Sequence, residues 1–150
     1  MARVTDVEQV RRVPAAGRAV FWTQFALLIA YLIGSFGILI LAAVHVGDPG
    51  AVLHPGLDRL GDPKDSMLIG PDSVWNPLVW IVGVCRLIAW FVYPLGFAML
   101  LFGGATMVHT WRLGDRRTFT QVAVLTAIWL ILIILAASPY GSSLTTWLLD

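Results

Sequence analysis

Arg86 is the residue of this sequence best placed to do chemistry. It interrupts an uncharged run in Gly83-Val84-Cys85-Arg86-Leu87-Ile88-Ala89, roughly 13 Å along a helix that starts at Pro77. An arginine deep in such a run costs on the order of 2.5–3.5 kcal/mol on insertion scales, so it faces a protein interior, a cavity or a headgroup layer. Trp90, Tyr93 and Phe97 follow it at i+4, i+7 and i+11, one aromatic stripe on which a guanidinium can stack. Arg86, Trp90 and Tyr93 are therefore the candidate contacts for a partner or ligand. No acidic side chain lies within the apolar runs. The acceptors left to Arg86 are a lipid phosphate, backbone carbonyls such as the one freed at Trp90 by Pro94, or a group on another molecule.

The other reactive side chains form no recognisable constellation. His45 and His109 are expected at opposite ends of neighbouring helices, too far apart to ligate one haem iron. His45 and His54 share a side with Asp48 and Asp58, but their spacing matches no metal-ligand pattern. The five aspartates between residues 47 and 72 lack the ladder of a calcium loop. Ser142 and Ser143 follow Gly141 with no base in a predictable place, and the G-x-S-x-G, H-E-x-x-H and phosphate-loop patterns are missing. The single cysteine, Cys85, excludes a disulfide framework within the chain. The expectation is a non-enzymatic protein with no metal and no cofactor.

The positions of the charges define the elements that must hold these residues. The chain has 150 residues, 58% hydrophobic and 13% charged, against about 45–50% and about 25% in soluble domains. Charges crowd into 1–18, 47–72 and 112–117, leaving three long apolar runs at 19–46, 77–111 and 121–138. About 20 residues cross a bilayer core as a helix, so each run is a candidate span. The first, with Gln24 its most polar interior residue, far exceeds the roughly 7–15 residues of a signal-peptide core and has no A-x-A site after it. Asn76-Pro77 is a good start for the second. As one straight helix that run would be on the order of 50 Å long, more than the core needs. Pro94 predicts a kink there, or else a division into two segments that form a re-entrant hairpin or a fourth crossing.

Lysine and arginine counts favour three spans. Arg3, Arg11, Arg12 and Arg18 precede the first run, only Arg59 and Lys64 follow it, Arg112, Arg116 and Arg117 precede the third, and none follows. That alternation predicts a cytoplasmic N-terminus and an outer C-terminus. Trp22 and Trp111 fall near the inner interface, and Trp75 and Trp80 near the outer one. The fold class expected is an all-α integral membrane protein of the plasma membrane, with three transmembrane helices and a long, Pro94-kinked middle one. Residues 1–18 are a cytoplasmic basic segment, 47–76 an outer loop, 112–120 a cytoplasmic loop and 139–150 an outer tail.

The flanks carry weaker signals. A capping box at 5–8 precedes valines every third residue, which suggests a short amphipathic helix before Pro14 or a basic tail. Gly47-Asp48-Pro49 and Gly61-Asp62-Pro63 predict two similar turns in a loop longer than most, hence a docking role or local disorder. Leu144, Trp147 and Leu148 share one helical face, which would lie on the outer leaflet or against a partner. Thr23, Ala26, Ala30, Gly34 and Gly37 form a small-residue stripe suited to close packing, within the chain or between copies.

With a net charge of +1, nothing points to nucleic acid; the partners expected are membrane lipid and other membrane protein subunits. The leading expectation is a non-catalytic accessory or assembly subunit of a larger membrane complex. The alternatives are a lipid- or quinone-type ligand in an Arg86/Trp90/Tyr93 groove, and a homo-oligomeric pore or transporter built on the small-residue face.

Overall fold

The computed structural model describes residues 2–62 and 77–149, with side chains from residue 16 onward. The 5–8 capping box, Lys64, Asp65, Asp72, Trp75 and the Asn76 cap lie outside that description. Every regular element described is helical. Helix α1 (Ala2–Leu32) passes into a five-residue π turn (Ile33–Gly37) and then α2 (Ile38–Val46). A 3-10 turn (Pro49–Leu53) and α3 (Leu57–Leu60) follow, then α4 (Pro77–Trp90), α5 (Val92–Arg112), α6 (Arg116–Ala136) and α7 (Pro139–Leu149). α1 runs unbroken through Pro14, so the basic N-terminal segment continues directly into the first apolar helix.

Three helices are long and apolar enough to cross a membrane: Ala16–Val46 with 31 residues, and Val92–Arg112 and Arg116–Ala136 with 21 each. At 1.5 Å per residue the shorter two measure about 31 Å, close to a hydrocarbon core, while the first reaches about 46 Å. The middle run expected at 77–111 is divided. Its interruption falls at Phe91 (φ −88, ψ 26), one turn before Pro94. Proline has no N–H to offer the Trp90 carbonyl, and the ladder resumes where the Leu95 N–H donates to the Phe91 carbonyl at 2.9 Å.

α5 and α6 pair as a hairpin. Gly114 closes its turn at φ 74, and the Asp115 side chain accepts from the Thr118 N–H at 3.1 Å to cap α6. α1 packs across this pair through Leu28 and Tyr31, which meet Val92, Met99, Leu125 and Trp129. Glycines permit the closest approaches. A side chain at Gly34 would overlap the Cys85 carbonyl of α4, and one at Gly103 would overlap Thr126 and Gln24. The predicted small-residue stripe is thereby split: Gly34 is buried and Ala30 partly so, while Ala26 and Gly37 stay exposed.

A second core lies beyond the end of α6. Ile38, Leu39, Ala42 and Ala43 of α2 bury against Ala51, Leu60, Leu144, Trp147 and Leu148. The tail expected on a leaflet surface or against a partner therefore turns its apolar face onto α2 and the loop of its own chain. This end is called the cap below, and the turn carrying Arg112, Arg116 and Arg117 the arginine end.

Two outcomes follow. Gly34→Ala meets main chain rather than a movable side chain, so it is expected to lose about 1–3 kcal/mol in thermal unfolding in detergent. Gly37→Ala, whose nearest contact would be at 3.6 Å, should be neutral or slightly stabilising. At the arginine end, hydrogen bonds from the Thr118 side chain and then its backbone hold the Asp115 carboxyl below its ordinary 3.8. A depressed carboxyl stabilises the fold above its unfolded value, and that contribution is lost as pH falls through the folded one. Protection against hydrogen exchange at the start of α6, taken relative to the intrinsic rate at each pH, should therefore fall below pH 3.8 in the native chain and show no such step in Asp115→Asn.

Candidate functional site

The cap is locked by polar bonds as well as by its core. Asp48 accepts from the Gly50 N–H at 3.0 Å and pairs with Arg59 at 2.6 Å, which ties the two short helical turns together. The Tyr140 hydroxyl donates to the Val52 carbonyl at 2.9 Å, and Trp147 Nε1 donates to the Gly61 carbonyl at 3.0 Å. Burial pushes the Tyr140 phenol above its ordinary value, so it remains a donor across the physiological range. Outside these locks the cap presents Leu53, His54 and Leu57 to its surroundings. A cleft of about 340 Å³ runs between Leu53, His54 and Pro55 on one side and Pro139, Tyr140 and Ser143 on the other.

Arg86 sits where α4 meets the cap. Its Nη2 donates to the Leu148 carbonyl in the last turn of α7, where the helix dipole adds attraction for a cation. Among the acceptors open to it from the sequence, the structure thus supplies a backbone carbonyl, sixty-two residues away in the chain. Arg86 and Trp90 line one groove of about 220 Å³ with Gly83, Leu87, Leu148 and Leu149. Tyr93 is not part of that lining. Its hydroxyl donates instead to the Ala136 carbonyl at 2.9 Å, joining α5 to the end of α6.

Two polar features lie deeper. Gln24, fully buried, donates from Nε2 to the Met99 carbonyl at 3.0 Å and to Thr126 Oγ1 at 3.3 Å. Its own backbone carbonyl accepts from Trp129 Nε1 at 3.3 Å, so one residue bonds both α5 and α6. Gln24 Oε1 has no partner among the described residues. The isolated amide within an apolar run was the available sign of this centre. Beside the π turn, Tyr31, Ser35, Ala136, Tyr140 and Thr145 line a small pocket of about 10 Å³, room for about one water molecule. The π turn itself has no evident signature in the sequence.

His45, His54 and His109 are all exposed, and no group of three or more His, Cys, Asp or Glu that could hold a metal occurs among the described residues. No family model matches the chain, and no curated protein or solved structure matches it either.

Trp147 is 1% exposed and serves both the cap core and the Gly61 bond. Trp147→Ala is expected to destabilise the cap by about 3–5 kcal/mol. Hydrogen exchange should rise sharply in α7 and residues 49–60 and stay near native in the α5–α6 hairpin.

Proposed function

We propose that the chain is a three-span integral membrane protein and a non-catalytic accessory or assembly subunit of a larger membrane complex, docking through its cap. The observation that carries this reading is the cap's construction. It has its own core and its own polar locks, yet leaves Leu53 70% and Leu57 47% exposed beside an open cleft. A segment that only joins two helices needs no core. Exposed leucines on a rigid platform outside the lipid gain about 25 cal/mol per Å² when a partner covers them.

In this reading the cap faces outward and the arginine end lies in the cytoplasm of a plasma-membrane protein, in keeping with the arginine distribution. The middle run acts as one unit bent between Phe91 and Pro94. α5 matches α6 in length as a crossing helix, and α4 veers toward the outer interface along the π turn. The exposed small residues Ala26 and Gly37 offer a second, intramembrane contact of the same assembly.

The test uses Leu53→Cys in a Cys85→Ala background, treated on intact cells with a membrane-impermeant thiol-reactive photocrosslinker. Labelling from outside is expected, and illumination should join the chain to one discrete second membrane protein that co-purifies with it in mild detergent. Leu53→Asp should reduce that co-purification about tenfold, as loss of a central apolar contact does. A chain that labels only from the cytoplasmic side sinks the orientation. One that purifies alone as a stable monomer, with no crosslinked partner, sinks the accessory role.

A further inference from the structure

The outward face of α4 carries a continuous groove with a cation in it. The groove of about 220 Å³ at Arg86 and Trp90 runs through Gly83 and Leu87 onto an open apolar face of α4 that adds Val79, Trp80 and Val84. Gly83 lies where the two meet and faces open space, since a Cβ there would meet nothing within 4 Å. Trp80 and Trp90, 64% and 57% exposed, stand on either side of it.

We propose that this groove holds one anionic phospholipid molecule, with its phosphate on the Arg86 guanidinium and an acyl chain against Gly83, Leu87 and Trp90. The guanidinium is already fixed in place by its bond to the Leu148 carbonyl, so little side-chain freedom is lost when a second acceptor arrives. That bond engages one of five N–H donors, and the planar fork of the others suits phosphate oxygens. An arginine set in an apolar groove selects for net negative charge, because a zwitterionic headgroup brings an ammonium that opposes the guanidinium. Free phosphate satisfies the charge but leaves the apolar walls bare. An amphiphile with an anionic head satisfies both. The inference shares the membrane placement proposed above but not the protein partner, and it stands or falls separately from the docking role of the cap.

The full chain, purified in mild detergent, is titrated in native mass spectrometry with dioleoylphosphatidylglycerol and, separately, dioleoylphosphatidylcholine. One phosphatidylglycerol molecule should bind about tenfold more tightly than phosphatidylcholine, the scale of a single charge-assisted contact. Arg86→Gln should abolish that preference. Gly83→Phe, which sets a ring over the acyl-chain contact and keeps the charge, should weaken both lipids, and millimolar inorganic phosphate should not displace either. Equal affinity for the two lipids, an unchanged preference in Arg86→Gln, displacement by phosphate alone, or retention of a neutral quinone in place of phospholipid would each overturn the proposal. Should Arg86→Gln release α7 and unfold, Gly83→Phe on its open surface still decides: native lipid binding in that variant rules the groove out.

Discussion

The first apolar helix outruns its two companions at one end, continuing through the π turn into α2 past the level at which α6 stops, and the cap is built on that overhang. α5 and α6 match each other, and α1 packs against them up to the level of Tyr31, where Ala136 ends α6 and lines the same small cavity. Past that level, α2 would stand with Ile38, Leu39, Ala42 and Ala43 bare on its inner side. The chain covers them twice: α7 folds back from Pro139, and the segment after Gly47 curls over as two short helical turns. Burial of Leu144, Trp147 and Leu148 on α2 then brings the last carbonyls of α7 beside α4, where Arg86 meets them. The position of the only charged side chain of α4 is thus a consequence of surplus length in α1–α2.

Below the cap, polar bonds decide how closely the helices approach. In the lipid setting proposed for these helices, where apolar surface offers no preference among helix faces, packing and single hydrogen bonds would set the arrangement, each polar bond worth about 0.6 kcal/mol on average. Gln24 reaches α5 and α6 at once, and it can do so because Gly103 leaves the room that any side chain there would fill. Tyr93 and Trp129 extend the same scheme by donating to main-chain carbonyls of neighbouring helices. Carbonyl acceptors recur in these contacts because helices have a surplus of acceptor capacity: each carbonyl keeps a second lone pair after its ladder bond.

That preference explains what was legible in the sequence and what was not. Uncharged runs and glycine or proline stops located the first and third long helices and the end of the middle one, since charge exclusion and backbone punctuation are local properties, but not the middle helix's start at Val92. The shared face of Leu144, Trp147 and Leu148 was equally readable, but not its destination, which depends on α2 outrunning α6. The expected middle run is broken at Phe91, three residues before Pro94, which has no N–H to offer the Trp90 carbonyl. Arg86 was conspicuous in the sequence while its acceptor was not, because a backbone carbonyl has no sequence signature. Tyr93 illustrates the limit of helical spacing. It shares a stripe with Trp90 on an ideal helix, but the break between α4 and α5 carries its hydroxyl to Ala136 instead.

The same geometry links the two surfaces on which the functional proposals rest. Leu148 and Leu149 line the groove beside Arg86, while Leu148 and Trp147 are part of the cap core. α7 therefore has one face in each, with the Arg86 bond at its end. A phosphate that drew on the guanidinium would change how firmly that end is held, and a partner pressing on the cap would change where the guanidinium stands. Linkage makes such an influence reciprocal: whatever factor one ligand imposes on the other's affinity is returned in equal measure. Within the proposed membrane reading, lipid in the groove and protein on the cap would thus be coupled through the eleven residues of α7, the element both would have to bias.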